Sequence, residues 1–129
     1  MDRVLDLSKK IYEAGFVPDM WFGKDRDGDP YCAYQRYVFF EDTFANGSSS
    51  TISRKLHQPY FSSDWCWRVL RRLIDVKSFT KDEIVLNYRQ NNQGELKQMI
   101  FSINESLHET LLRIVLWNIE LGYLKAAKG

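Results

Sequence analysis

Val4, Leu7, Ile11 and Ala14 recur at the spacing that lines one face of an α-helix, with Leu5 and Tyr12 widening the stripe. Gly15 stands where a left-handed C-terminal cap belongs, so the pattern predicts a helix over residues 2–14. The period then changes. Phe16 to Phe22 is apolar but interrupted by Pro18, which suits an extended segment or edge strand. Within Lys24 to Pro30, Asp27-Gly28 supplies the positive φ of a tight hairpin turn. Tyr31 to Phe40 reads as one strand with two alternating sets, Tyr31, Ala33, Gln35, Tyr37, Phe39 and Cys32, Tyr34, Arg36, Val38, Phe40. Both sets are mostly apolar or aromatic, so this strand is either covered on both sides or turns an aromatic face toward a partner.

Ala45 to Ser50, with Asn46-Gly47 and three serines, reads as a flexible loop, and a short strand follows over residues 51–56. Ser62 or Ser63 caps a second helix, with Asp64 near its positive end. Trp65, Val69, Leu70, Leu73 and Ile74 form its stripe and carry it to Asp75. Glu83 to Arg89 and Glu95 to Ile103 read as a hairpin turning through Asn91-Asn92-Gln93-Gly94, with Ile84, Leu86 and Tyr88 on one face. Ser106-Leu107-His108-Glu109 fits a capping box, after which Leu107, Leu111, Leu112, Val115, Leu116 and Ile119 make the last helical stripe. Gly122 stops that helix, with Tyr123 and Leu124 folding back over its final turn, and residues 125–129 have nothing to bury and fray. The sum is an α+β single domain over residues 1–124, with three helices on an antiparallel sheet of four to five strands.

At 129 residues the chain is long enough to bury one core without disulfide or metal staples. Its 18 Lys and Arg against 17 Asp and Glu leave almost no net field, so binding to nucleic acid or an anionic membrane needs a local patch. No stretch approaches the roughly 20 apolar residues of a membrane span, and the N-terminus opens on Asp2, Arg3 and Asp6 rather than a signal sequence. The expectation is a cytoplasmic protein without a membrane partner. Cys32 and Cys66 match no metal or redox spacing and read as reduced, buried residues.

The candidate chemistry is sparse. Asp25, Asp27 and Asp29 alternate like the first ligands of a calcium loop, but Pro30 and Arg36 stand where that loop needs Gly and Glu, so they read as a polar turn. His57 and His108 sit at no ligand spacing, and His108 is expected to face solvent. No phosphate loop, nucleophile elbow or metalloprotease motif occurs, so no catalytic residue, metal or cofactor is assigned and no small-molecule substrate is implied. Arg68, Arg71 and Arg72, preceded by Arg54 and Lys55, form the best local basic patch, able to hold phosphates. Aromatic residues make up 15% of the chain, and Trp67 on the second helix and Tyr37 on the aromatic strand are the interface candidates.

The opening Leu7-Ser8-Lys9-Lys10-Ile11-Tyr12-Glu13-Ala14-Gly15-Phe16 with Trp21-Phe22, and the closing Leu111 to Trp117 through Gly122-Tyr123-Leu124, resemble small phage and prophage proteins of uncharacterised function. Pro59-Tyr60-Phe61 before the second helix fits the same plan, while the segment from Tyr31 to Gln58 is longer than the resemblance implies. What the resemblance implies is context, an accessory factor of a phage or integrated element, and no catalytic residue comes with it. The functional expectation is a non-catalytic binding protein with a protein partner or a homodimeric contact. A nucleic-acid-binding module using the basic face of the second helix is the alternative.

Overall fold

The computed structural model describes residues 2–88 and 98–126. The chain is α+β, with three helices and eight antiparallel strands among the described residues. Helix α1 (Asp2–Glu13) buries Val4, Leu7, Ser8 and Ile11, and Gly15 takes the left-handed conformation at φ 99° that ends it. Strand β1 (Met20–Lys24) pairs antiparallel with β2 (Pro30–Ala33) across the turn in which Gly28 has φ 85°. Pro18 lies just before β1, so its missing N–H costs the ladder nothing. For that reason β1 is the central strand of its sheet rather than an edge, flanked by β2 and by β5 (Gln58–Tyr60). Gly23 makes this possible: a Cβ there would come within 2.8 Å of a Leu56 methyl and 3.3 Å of the Leu56 Cα.

The aromatic run from Tyr31 to Phe40 is not one strand. It bends at Tyr34, Gln35 and Arg36, and β3 (Tyr37–Thr43) leaves the first sheet to pair with β4 (Ser49–Lys55) as a separate two-stranded ribbon. Arg36 holds the bend. Its Nε donates to the Leu56 carbonyl at 3.2 Å, its own carbonyl accepts the Leu56 N–H at 2.8 Å, and its guanidinium lies 4.2 Å from the Trp21 ring centre. Asn46-Gly47, with Gly47 at φ 84°, forms the turn of this ribbon.

Helix α2 (Ser63–Leu70) starts at Ser62, whose hydroxyl accepts the Trp65 N–H at 3.1 Å and is itself held by Asp19. It ends at Leu70 with Arg71 as its cap, five residues short of Asp75. Leu73 and Ile74 prolong the helical spacing, yet Ile74–Phe79 forms β6, because its backbone finds partners in β7 (Glu83–Tyr88), with Ile74 opposite Tyr88 and Phe79 opposite Ile84. Strand β8 (Gln98–Ser102) completes this third sheet in the order β6-β7-β8. The turn Asn91-Asn92-Gln93-Gly94 lies outside the described residues. The strands therefore form three small sheets rather than one of four or five, since the bend at 34–36 and the helix at 63–70 divide the pairing.

Helix α3 (Leu107–Glu120) is capped by the Ser106 hydroxyl, which accepts the Glu109 N–H at 3.2 Å. Leu111, Leu112, Ile114, Val115 and Asn118 are fully buried, so the core-facing stripe is centred one position away from the Leu116–Ile119 edge that hydropathy favours. Gly122 at φ 80° reverses the chain, with the Tyr123 N–H bonded to the Asn118 carbonyl and the Gly122 N–H to that of Ile119, the paired bonds of a Schellman cap. The three helices meet around Phe61, Cys66, Leu70 and Ile11, and Ile84 and Leu86 close the core from the third sheet.

Candidate functional site

Strand β3 alternates sharply. Val38, Phe40 and Asp42 point inward, while Tyr37, Phe39, Glu41 and Thr43 point out. Phe40 meets Tyr31 edge-to-face at 5.2 Å, and Arg26 pairs with Asp42 at 3.1 Å while donating to the Glu41 carbonyl, so the inward side is fastened to the β1–β2 hairpin. The outward side has no such cover. Tyr37 is 56% and Phe39 69% exposed, and Tyr34 before the strand and Phe44 after it are also exposed. The register places Lys55 opposite Tyr37 and Ser53 opposite Phe39, and the Lys55 ammonium sits 5.8 Å from the Tyr37 ring centre. Seven residues at about 3.4 Å each give this face a length of roughly 24 Å. Leaving a Phe in water forgoes about 1.5–3 kcal/mol that burial would supply, and here that loss is repeated within a few residues.

Of the residues singled out from sequence, Tyr37 and Lys55 are thus brought together, with Arg54 opposite Val38 on the same ribbon. Arg68, Arg71 and Arg72 do not form one basic helix face, because α2 ends at Leu70 and only Arg68 lies within it, with Arg71 as its cap and Arg72 in the turn beyond. Arg68 and Arg72 border one recess with Trp65 and Val69, and Arg68 forms an i, i+4 pair with Asp64 at 3.1 Å. Arg71 borders another recess with Trp67, Val76, Phe79 and Leu107. Trp67 and Phe79 lie 6.4 Å apart there, while Trp65 packs on Phe61 at 4.3 Å, so the two tryptophans serve different surroundings. Sequence reasoning did not select Phe39, Tyr34 and Phe44. The signal for Phe39 was its place two residues from Tyr37, on the same strand face.

Asp25, His108 and Cys66 take part in the structure itself. Asp25, Asp27 and Asp29 place carboxylate oxygens within 4.8 Å of one another, and Asp25 Oδ1 accepts the N–H groups of both Asp27 and Asp29 at 2.9 Å, so it shapes the turn. His108 does not face solvent. It is half-buried, and its Nε2–H donates to the Phe61 carbonyl at 2.6 Å, which leaves Nδ1 to accept from the Tyr60 hydroxyl at 3.5 Å. His57 is exposed beside Asp6, Lys9 and Glu13. Cys66 is fully buried and burial pushes its thiol far up, away from the reactive thiolate. Cys32 is half-buried and raised too, by desolvation first and by the charge of Asp19 second. No helix among the described residues is long and apolar enough to cross a membrane. No family model, curated protein or solved structure matches the chain.

Proposed function

We propose that this chain is a non-catalytic binding protein that works by protein–protein contact through the outer face of the β3–β4 ribbon. The observation that carries this reading is the pair of exposed aromatic side chains Tyr37 and Phe39 on the side of the ribbon turned away from the rest of the fold, with Tyr34 before the strand and Phe44 after it exposed as well. Large, rigid aromatics lose little entropy on burial and dominate interface energetics, and the neighbouring Lys55, Ser53 and Thr51 supply a polar rim. The occupant is a protein surface with an apolar patch, either another protein or a second copy of this chain. The likeness of the chain's two ends to small phage proteins supports an accessory role in a phage or mobile element, acting in the cytoplasm.

The test uses the double variant Tyr37→Ser/Phe39→Ser. Sedimentation over a range of concentrations and capture from a host extract are compared between wild type and variant. Wild type is expected to self-associate or to retain specific proteins, and the variant to lose that property. A wild-type chain that stays monomeric and retains the same proteins as the variant overturns the reading. A salt-sensitive mobility shift with DNA or RNA, weakened by Arg68→Ala, Arg71→Ala and Arg72→Ala but not by the ribbon variant, would put nucleic-acid binding in its place.

A further inference from the structure

A second surface, separate from the ribbon, has a charge that the chain as a whole lacks. The link after α1, the face of α2 and the chain beyond α3 enclose a recess whose floor is Phe16, Trp65, Val69 and Leu124, with Val17 at its mouth, 80% exposed. Its rim holds Arg68, Arg72 and Lys125, and no carboxylate lines it among the described residues. Three local steps produce this convergence. Arg68 lies in the last turn of α2 and Arg72 in the turn just beyond its cap, where its N–H bonds the Val69 carbonyl, the left-handed Gly122 sends the chain back so that Lys125 follows the buried Leu124, and the left-handed Gly15 lets Ala126 approach within 3.1 Å of the position its Cβ would take. Arg68 is offset by Asp64, whereas the side chains of Arg72 and Lys125 pair with no carboxylate among the described residues. A chain with a formal net charge of +1 therefore places beside one apolar floor two cations that no carboxylate among the described residues pairs with.

From this charge complementarity we infer that the recess binds a short acidic segment of a partner protein that carries an apolar anchor side chain. The anchor fills the space between Phe16, Val17 and Val69, and flanking carboxylates meet Arg72 and Lys125. A nucleic-acid strand fits less well. Trp65 is held half-buried in the floor between Phe61, at 4.3 Å, and Phe16, edge-on at 6.1 Å, so it is no free platform for stacking a base. The groove at Trp67, Val76 and Phe79 lacks this complementarity, having Arg71 alone at its border, and the bulge in the adjoining β6 blunts its open edge.

The probe is a fluorescently labelled peptide with two adjacent leucines flanked by aspartates and glutamates. It is titrated at low salt beside one control with serines in place of the leucines, a second with lysines in place of the acids, and a thymidine oligonucleotide. The wild-type chain is expected to bind the acidic leucine peptide and neither peptide control. Arg72→Ala/Lys125→Ala weakens binding about three- to tenfold, as loss of two exposed charge pairs implies, with the melting temperature unchanged. Added salt weakens binding in the wild type more than in that variant. The ribbon variant Tyr37→Ser/Phe39→Ser binds the peptide as wild type does, so this inference and the ribbon reading stand or fall separately. No binding, equal binding of the serine control, equal affinity in the double cation variant, or preference for the oligonucleotide would each overturn the inference.

Discussion

Phe61→Ala lowers the free energy of unfolding by about 4 kcal/mol, read as a shift of the urea midpoint with an unchanged slope. Phe61 is fully buried and stands where β5 passes into α2. Its ring packs on Trp65 at 4.3 Å, its N–H donates to the buried Ser8 hydroxyl of α1 at 3.1 Å, and its carbonyl accepts from His108 of α3 at 2.6 Å. One residue thus holds all three helices, and its backbone bonds fix the surrounding groups so that they cannot close over the void left by the ring. The expected loss is a large fraction of the roughly 5–15 kcal/mol that keeps such a chain folded. Phe61→Leu, which fills most of the space, costs about a third as much. A loss under about 1 kcal/mol for the alanine variant would mean that the helices do not converge on this ring.

Asn118→Ala costs about 3 kcal/mol, the second largest effect expected. Asn118 is fully buried on α3, its amide donating to the Ile114 carbonyl at 2.8 Å and its Oδ1 accepting the Tyr88 hydroxyl at 2.7 Å. A phenol keeps its proton at neutral pH, and burial raises that of Tyr88 further, so in this buried place its O–H requires an acceptor. Alanine removes that acceptor and leaves a void besides. The check is the pair Tyr88→Phe/Asn118→Leu, in which both polar ends disappear and the volume is kept. It is expected to recover at least half of the loss, whereas a double variant as unstable as Asn118→Ala would show that the hydrogen bond is not the cause.

How far the sequence foretold this arrangement depended on whether local chemistry or a distant partner decided each element. Helices α1 and α3 carry their own caps at Gly15, Ser106 and Gly122, and the turn at Gly28 needs the positive φ that its sequence offers, so these were legible. The end of α2 was not, because Ile74 satisfies a helical stripe and a strand equally well, and only pairing with Tyr88 chooses between them. The bend at Arg36 depends on Trp21 and Leu56, which lie 15 and 20 residues away, so the aromatic run looked continuous. Asn118 interrupted an apolar stripe and for that reason was passed over, although it sits at the centre of the buried face. Of the ribbon surface, Tyr37 and Lys55 were visible as residue types but not as neighbours, since register alone sets one opposite the other. For Lys125 no local signal existed, as its position follows from the reversal at Gly122 and the closure against Gly15.

The most direct measurement is the melting temperature of Tyr37→Ser/Phe39→Ser beside wild type. If those rings are held out for a partner and contribute nothing to the fold, the two melt within about 2 °C of each other. A fall approaching that of Phe61→Ala would show instead that the aromatic face is packed within the protein and is not offered for binding.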